Sequence, residues 1–144
     1  MRLVPLIAAA TALSACAVSP RQQARAERDE AAATLSADGQ SYGDGARVTG
    51  PARSCVPLIE LGNSRVLSDR VIDFERPGRG AYRVVLPQSC PQLGFEQRFS
   101  YATSLNQLCR QDIITVLIQS PGLQRGASCG LADFRPITPA PRSR

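Results

Sequence analysis

The clearest strand signal is Ile113-Ile114-Thr115-Val116-Leu117-Ile118, apolar at odd and even positions alike. Such a run predicts a central strand buried on both faces. Upstream, Arg65-Val66-Leu67 and Arg70 to Glu75 flank a tight turn at Ser68-Asp69. Arg76-Pro77-Gly78-Arg79-Gly80 is a loop, and Ala81 to Leu86 returns as a partner strand. Folding this pair about Gly78 sets Ile72 against Val84, Asp73 against Arg83 and Phe74 against Tyr82. The register gives one apolar face and one face carrying a charge pair.

Downstream, Pro87 to Gly94 is irregular, Glu96 to Tyr101 reads as a strand, and Thr103 to Gln107 is a connection. Ser120 to Gly126 is a Pro-Gly loop, and Ala127 to Phe134 is a last strand closed by Pro136 and Pro139. Short strands with regular turns predict a mainly β fold, a small antiparallel barrel or sandwich of five or six strands over residues 55–138, followed by a tail at 139–144.

The N-terminal third has a different pattern. Ser19-Pro20-Arg21-Gln22 carries a capping box with proline at the first helical position, and alanine-rich residues extend the helix to Leu35. It has almost no apolar stripe to bury. Ser36 to Ser54 is rich in Gly, Ser, Asp and Ala. Residues 16–54 therefore read as a tether, and its flexible part would span about 25 Å.

Before it, Met1-Arg2 and the apolar run Leu3 to Ala12 lead into Leu13-Ser14-Ala15-Cys16, the order of a secretory signal over residues 1–15. The run is too short to cross a bilayer, which takes about 20 apolar residues in a helix. Leu13 to Cys16 resembles the lipobox of bacterial lipoproteins. That resemblance implies acylation of Cys16, cleavage before it, and a stable multi-chain lipid anchor. Ala17 is not the Asp that commonly retains such proteins at the inner membrane, so the expected site is the periplasmic face of the outer membrane.

Cysteine arithmetic points the same way. Of five cysteines, lipidation removes Cys16 and leaves Cys55, Cys90, Cys109 and Cys129. An even set in an oxidising compartment predicts two disulfides. The connectivity taken here is Cys55–Cys129 with Cys90–Cys109 nested inside. A four-thiolate metal site needs close ligand pairs, and the spacing of these four gives none, so no metal is expected.

Composition narrows the chemistry. The chain has no histidine, tryptophan or lysine, and all 17 basic residues are arginine. Without histidine, Ser-His-Asp, Cys-His and His-metal sites are excluded. The net charge of +5 is spread along the sequence and forms no linear cluster of the kind that marks a nucleic-acid binder.

Several distinct segments carry a resemblance: Ser89 to Glu96, Arg98 to Tyr101, Leu108 to Val116 and Gly126 to Leu131, with Cys55 and Asp69 to Phe74. Together they resemble a family of small exported proteobacterial proteins of unknown function, matched over about residues 55–136. The resemblance implies a self-contained exported domain with these four cysteines; it implies no activity, substrate or cofactor beyond the covalent lipid.

Candidate chemistry is sparse. Asp69, Asp73 and Glu75 form the densest acidic group, read as a solvated hairpin face rather than a cation site. Glu96 and Asp112 are the remaining carboxylates suited to glycoside hydrolysis. Arg98, Phe99 and Tyr101 form an aromatic and basic strand whose rings are assigned to the core. Gly122 to Gly130 with Arg125 lacks the setting of a phosphate loop. The expectation is a non-enzymatic lipoprotein contacting a periplasmic protein or envelope polymer. A small carboxylate-dependent envelope-glycan hydrolase and a small-ligand carrier or sensor are the alternatives.

Overall fold

The computed structural model describes residues 18–78, 80–103 and 105–141. Cys16 and the expected signal segment, residues 1–15, lie outside the described residues. The chain is mainly β, in three antiparallel sheets, and the sheets do not close into a barrel.

The principal sheet has five strands. Its centre is the hairpin of β4 (Val71–Glu75) and β5 (Ala81–Val85), in the register that sequence alone predicts: Ile72 opposite Val84, Asp73 opposite Arg83, Phe74 opposite Tyr82. β3 (Ser64–Val66) pairs with β4, and β10 (Arg135–Thr138) pairs with β5. β1 (Arg47–Val48) closes the other edge against β10. A three-stranded sheet places β8 (Ile113–Ser120) between β6 (Phe99–Tyr101) and β9 (Gly122–Gly130). β2 (Cys55–Pro57) and β7 (Gln107–Cys109) form a two-stranded ribbon.

The main core lies on one side of the hairpin. Ile72, Phe74, Tyr82 and Val84 pack with Val56, Leu108, Ile114, Val116, Leu131 and Phe134. Phe74 meets Phe99 edge to face at 6.0 Å, a favoured aromatic geometry. β8 is central as expected, but it is not buried twice. Ile114 and Val116 face the core, whereas Ile113 is exposed and Thr115 and Leu117 are only half-buried.

Other sequence expectations need correcting. Glu96 is not in a strand: Leu93–Glu96 is a single helical turn, α2, bracketed by Gln92 and Gln97 in the left-handed region. β9 starts at Gly122 rather than Ala127, so the Pro121-Gly122 pair is the hairpin turn itself. Pro136 does not end order; it sits inside β10 opposite Tyr82.

The largest revision concerns the tether. Helix α1 (Pro20–Ala33) forms with the predicted Ser19–Gln22 capping box. Residues 36–54, however, are packed onto the domain. Tyr42 and Ala46 are buried with Ala81 and Ile137 in a second apolar cluster. The Thr49 N–H donates to the Pro136 carbonyl, and Arg53 exchanges backbone hydrogen bonds with Phe134. The Ser, Asp and Gly residues are turn chemistry. The Asp38 carboxylate accepts from the Ser36 hydroxyl and the Gln40 N–H, the Asp44 carboxylate accepts from the Ala46 N–H, and Gly39 and Gly45 have positive φ. Composition alone does not distinguish such a chain of local turns from a flexible linker.

The disulfides also differ from expectation. They join Cys55 to Cys109 and Cys90 to Cys129, so the loops interlock rather than nest. The reason is register: β2 and β7 pair with Cys55 directly opposite Cys109, Cα atoms 4.0 Å apart. Cys90 is held by its N–H donating to the Asp69 carbonyl and meets Cys129 on β9, Cα atoms 5.9 Å apart.

Candidate functional site

The second face of the β4–β5 hairpin carries the charge pair, and it is not solvated. Arg83 is 1% exposed and Asp73 3%. The Arg83 guanidinium donates Nε–H to Asp73 Oδ1 at 2.8 Å and Nη2–H to Asp73 Oδ2 at 2.9 Å. Its Nη1 donates to Asp44 Oδ1 at 2.9 Å and to the Ala32 carbonyl at 3.2 Å. Its carbon lies 4.7 Å from the Tyr42 ring centroid. Burial disfavours the charged guanidinium, but hydrogen bonds and charge from Asp73 and Asp44 outweigh it and hold Arg83 ionised. One sheet residue thus satisfies a terminal carbonyl of α1 and fastens the turn at residues 42–46.

Above this pin, α1 and the sheet enclose an open groove of about 1320 Å³. Arg21, Arg25, Arg28 and Arg65 line it, with Glu27 and Asp29 as the carboxylates outside the Arg83 cluster. Positions 21, 25 and 28 fall on one helical face. Arg25 Nη2 donates to the Gly94 carbonyl at 3.3 Å, tying the helix to α2. None of these four arginines forms a salt bridge among the described residues. Burial pushes the Asp29 carboxyl up, Arg25 opposes that shift and Asp69 adds to it. Folding therefore brings Arg65 beside the three helical arginines, a proximity hidden because Arg65 is distant from the helix in sequence.

The acidic group does not converge. Asp69 Oδ1 accepts from the Gly94 N–H at 2.6 Å, Asp73 is committed to Arg83, and Glu75 ends β4. Of the other carboxylates, Asp112 Oδ2 accepts from the Cys109 N–H and Glu96 Oε2 from the Gln119 N–H. Among the described residues, no group of three or more metal-ligand side chains comes together.

Phe99 is half-buried against the core, as its alternation predicts, while Tyr101 stands 41% exposed at the sheet rim and Arg98 reaches Gln119. Tyr101, Ile113, Thr115 and Arg125 line a smaller groove of about 520 Å³. A third polar group, missed in the sequence, surrounds Tyr82. Its hydroxyl donates to Glu60 Oε2 at 2.6 Å and accepts from Arg53 Nη1 at 2.8 Å.

No helix among the described residues is long and apolar enough to cross a membrane. No protein-family model, curated protein or solved structure matches this chain.

Proposed function

We propose that the chain is an exported lipoprotein, anchored through acylated Cys16 at the periplasmic face of the outer membrane, and that its domain works by binding rather than catalysis. The observation that carries this reading is the pairing of Cys55 with Cys109 and Cys90 with Cys129. Two interlocked disulfides suit an oxidising compartment, and they leave Cys16 as the one cysteine outside the bridges, available for lipid. The binding reading is supported by the carboxylates. Asp69, Asp73, Asp112 and Glu96 each accept a hydrogen bond from the protein's own groups, which favours structural roles for these four over glycoside hydrolysis. A small-ligand carrier would have to use an open groove, since the sheets enclose no barrel. A protein or envelope polymer suits such open surfaces better than a small molecule, which is usually held in a mostly enclosed pocket.

Mass spectrometry of the protein extracted from envelopes tests the anchor. The expected N-terminal peptide starts at Cys16 and carries diacylglyceryl and acyl groups. A soluble product with an unmodified Cys16 thiol overturns it. Release of soluble fragments from purified peptidoglycan by the isolated protein overturns the binding reading.

A further inference from the structure

If residues 20–54 belong to the domain, only residues 17–19 separate Cys16 from α1. Four residues from Cys16 to Pro20 span at most about 14 Å. An anchored domain joined this closely stays near the bilayer, and which of its sides faces the lipid is set by surface chemistry. The side nearest the anchor has the chemistry of an interface. Arg21, Arg25 and Arg28 share one helical face, and Arg65 meets them across the groove. The first turn of α1 contains Arg21 and no acidic residue, so Arg21 adds to the positive end of the helix dipole, against the usual preference for helix stability. Beside them, Arg25 binds the carbonyl of Gly94, and the next residue, Phe95, is 80% exposed. Gln92 and Gln97, both at positive φ, bracket the turn that displays it. Glu27 and Asp29 share the groove, so outside the Arg83 cluster the arginines outnumber the carboxylates by four to two, and basic residues beside an exposed aromatic suit an anionic lipid surface.

We propose that the α1–α2 side of the domain docks on the anionic phospholipid surface beside its own anchor, with Arg21, Arg25, Arg28 and Arg65 taking headgroup phosphates and Phe95 entering the acyl boundary. The distance argument rests on the lipoprotein reading; the charge and aromatic arguments do not.

The chain has no tryptophan, so Phe95→Trp gives a single fluorescent reporter. The acylated protein is reconstituted in nanodiscs of phosphatidylcholine alone or mixed with phosphatidylglycerol. The expected result is a blue-shifted, bromolipid-quenched tryptophan in the anionic discs only, reversed by high salt. Each of Arg21→Gln, Arg25→Gln, Arg28→Gln and Arg65→Gln should lower the docked-to-undocked ratio roughly five-fold, with circular dichroism verifying that the fold persists. A water-exposed tryptophan in both discs overturns the proposal. So does inorganic phosphate binding these arginines as strongly as the discs do, which would make the groove a soluble-anion site. If mass spectrometry finds no acylation, the anchor reading fails by itself. The same reporter is then titrated with phosphatidylglycerol vesicles: a salt-sensitive shift supports the surface, and its absence overturns it.

Discussion

Arg83 and Asp73 sit directly opposite each other on β5 and β4, joined by two parallel N–H···O bonds of 2.8 and 2.9 Å, with the end of α1 laid over them. Four of the guanidinium's five N–H groups are used, the other two bonds going to Asp44 and the Ala32 carbonyl. The pair therefore couples the sheet to the N-terminal segment rather than decorating a strand.

Removing one partner leaves a buried uncompensated charge. Arg83→Met should destabilise the domain by about 3–5 kcal/mol, read from the urea midpoint. Arg83→Lys should also be costly, because an ammonium cannot reproduce the planar fork. The double variant Arg83→Met, Asp73→Leu should recover much of the loss. A double variant no more stable than Arg83→Met alone would show that the pair is not the relevant interaction.

Acid should loosen the N-terminal cover before the sheet. Burial raises the Asp44 carboxyl, but hydrogen bonds from Arg83 and the Ala46 N–H overcome it and hold Asp44 below the usual carboxylate value. With a folded value below the unfolded one, its contribution is complete above about pH 4 and is lost as pH falls through the folded value. Hydrogen exchange of α1 amides from pH 5 downward should show this loosening. In Asp44→Asn the exchange should already be raised at neutral pH and change less with acid.

Gly43 is the close approach between the turn and α1. A Cβ there would lie 2.9 Å from the backbone oxygen of Ala31. Gly43→Val should lift the helix while sparing the main core, for a loss of about 1–3 kcal/mol. Raised exchange in α1 with unchanged protection of β4 and β5 is the expected pattern.

The disulfides should be separable. Peptide mapping without reduction should recover Cys55 with Cys109 and Cys90 with Cys129. The bridges close loops of 54 and 39 residues, so chain entropy assigns each about 4 kcal/mol. Replacing either pair with alanines should lower the unfolding free energy, read from urea denaturation, by a similar amount.

Local information was enough for some of this architecture. The β4–β5 register follows from alternation about a Gly-containing loop, because a one-residue slip would turn Ile72, Phe74, Tyr82 and Val84 out of the core. The α1 start follows from the Ser19–Gln22 capping box, whose partners are three residues apart. The mainly β class and the oxidisable set of four cysteines were legible for the same reason: each signal lies within a short stretch or a simple count.

What the chain alone left open depends on groups distant in sequence that meet only when folded. Cysteine pairing was set by β2 finding β7. The burial of Asp73 and Arg83 was set by Tyr42, Asp44 and Ala32 arriving from a segment whose composition matches a linker. The arginine groove was set by Arg65 joining a helix that precedes it by some forty residues. Propensity and periodicity describe a residue's near neighbours. Which faces are covered, and which charges are brought together, is decided by long-range packing, where desolvation and pairing take their values.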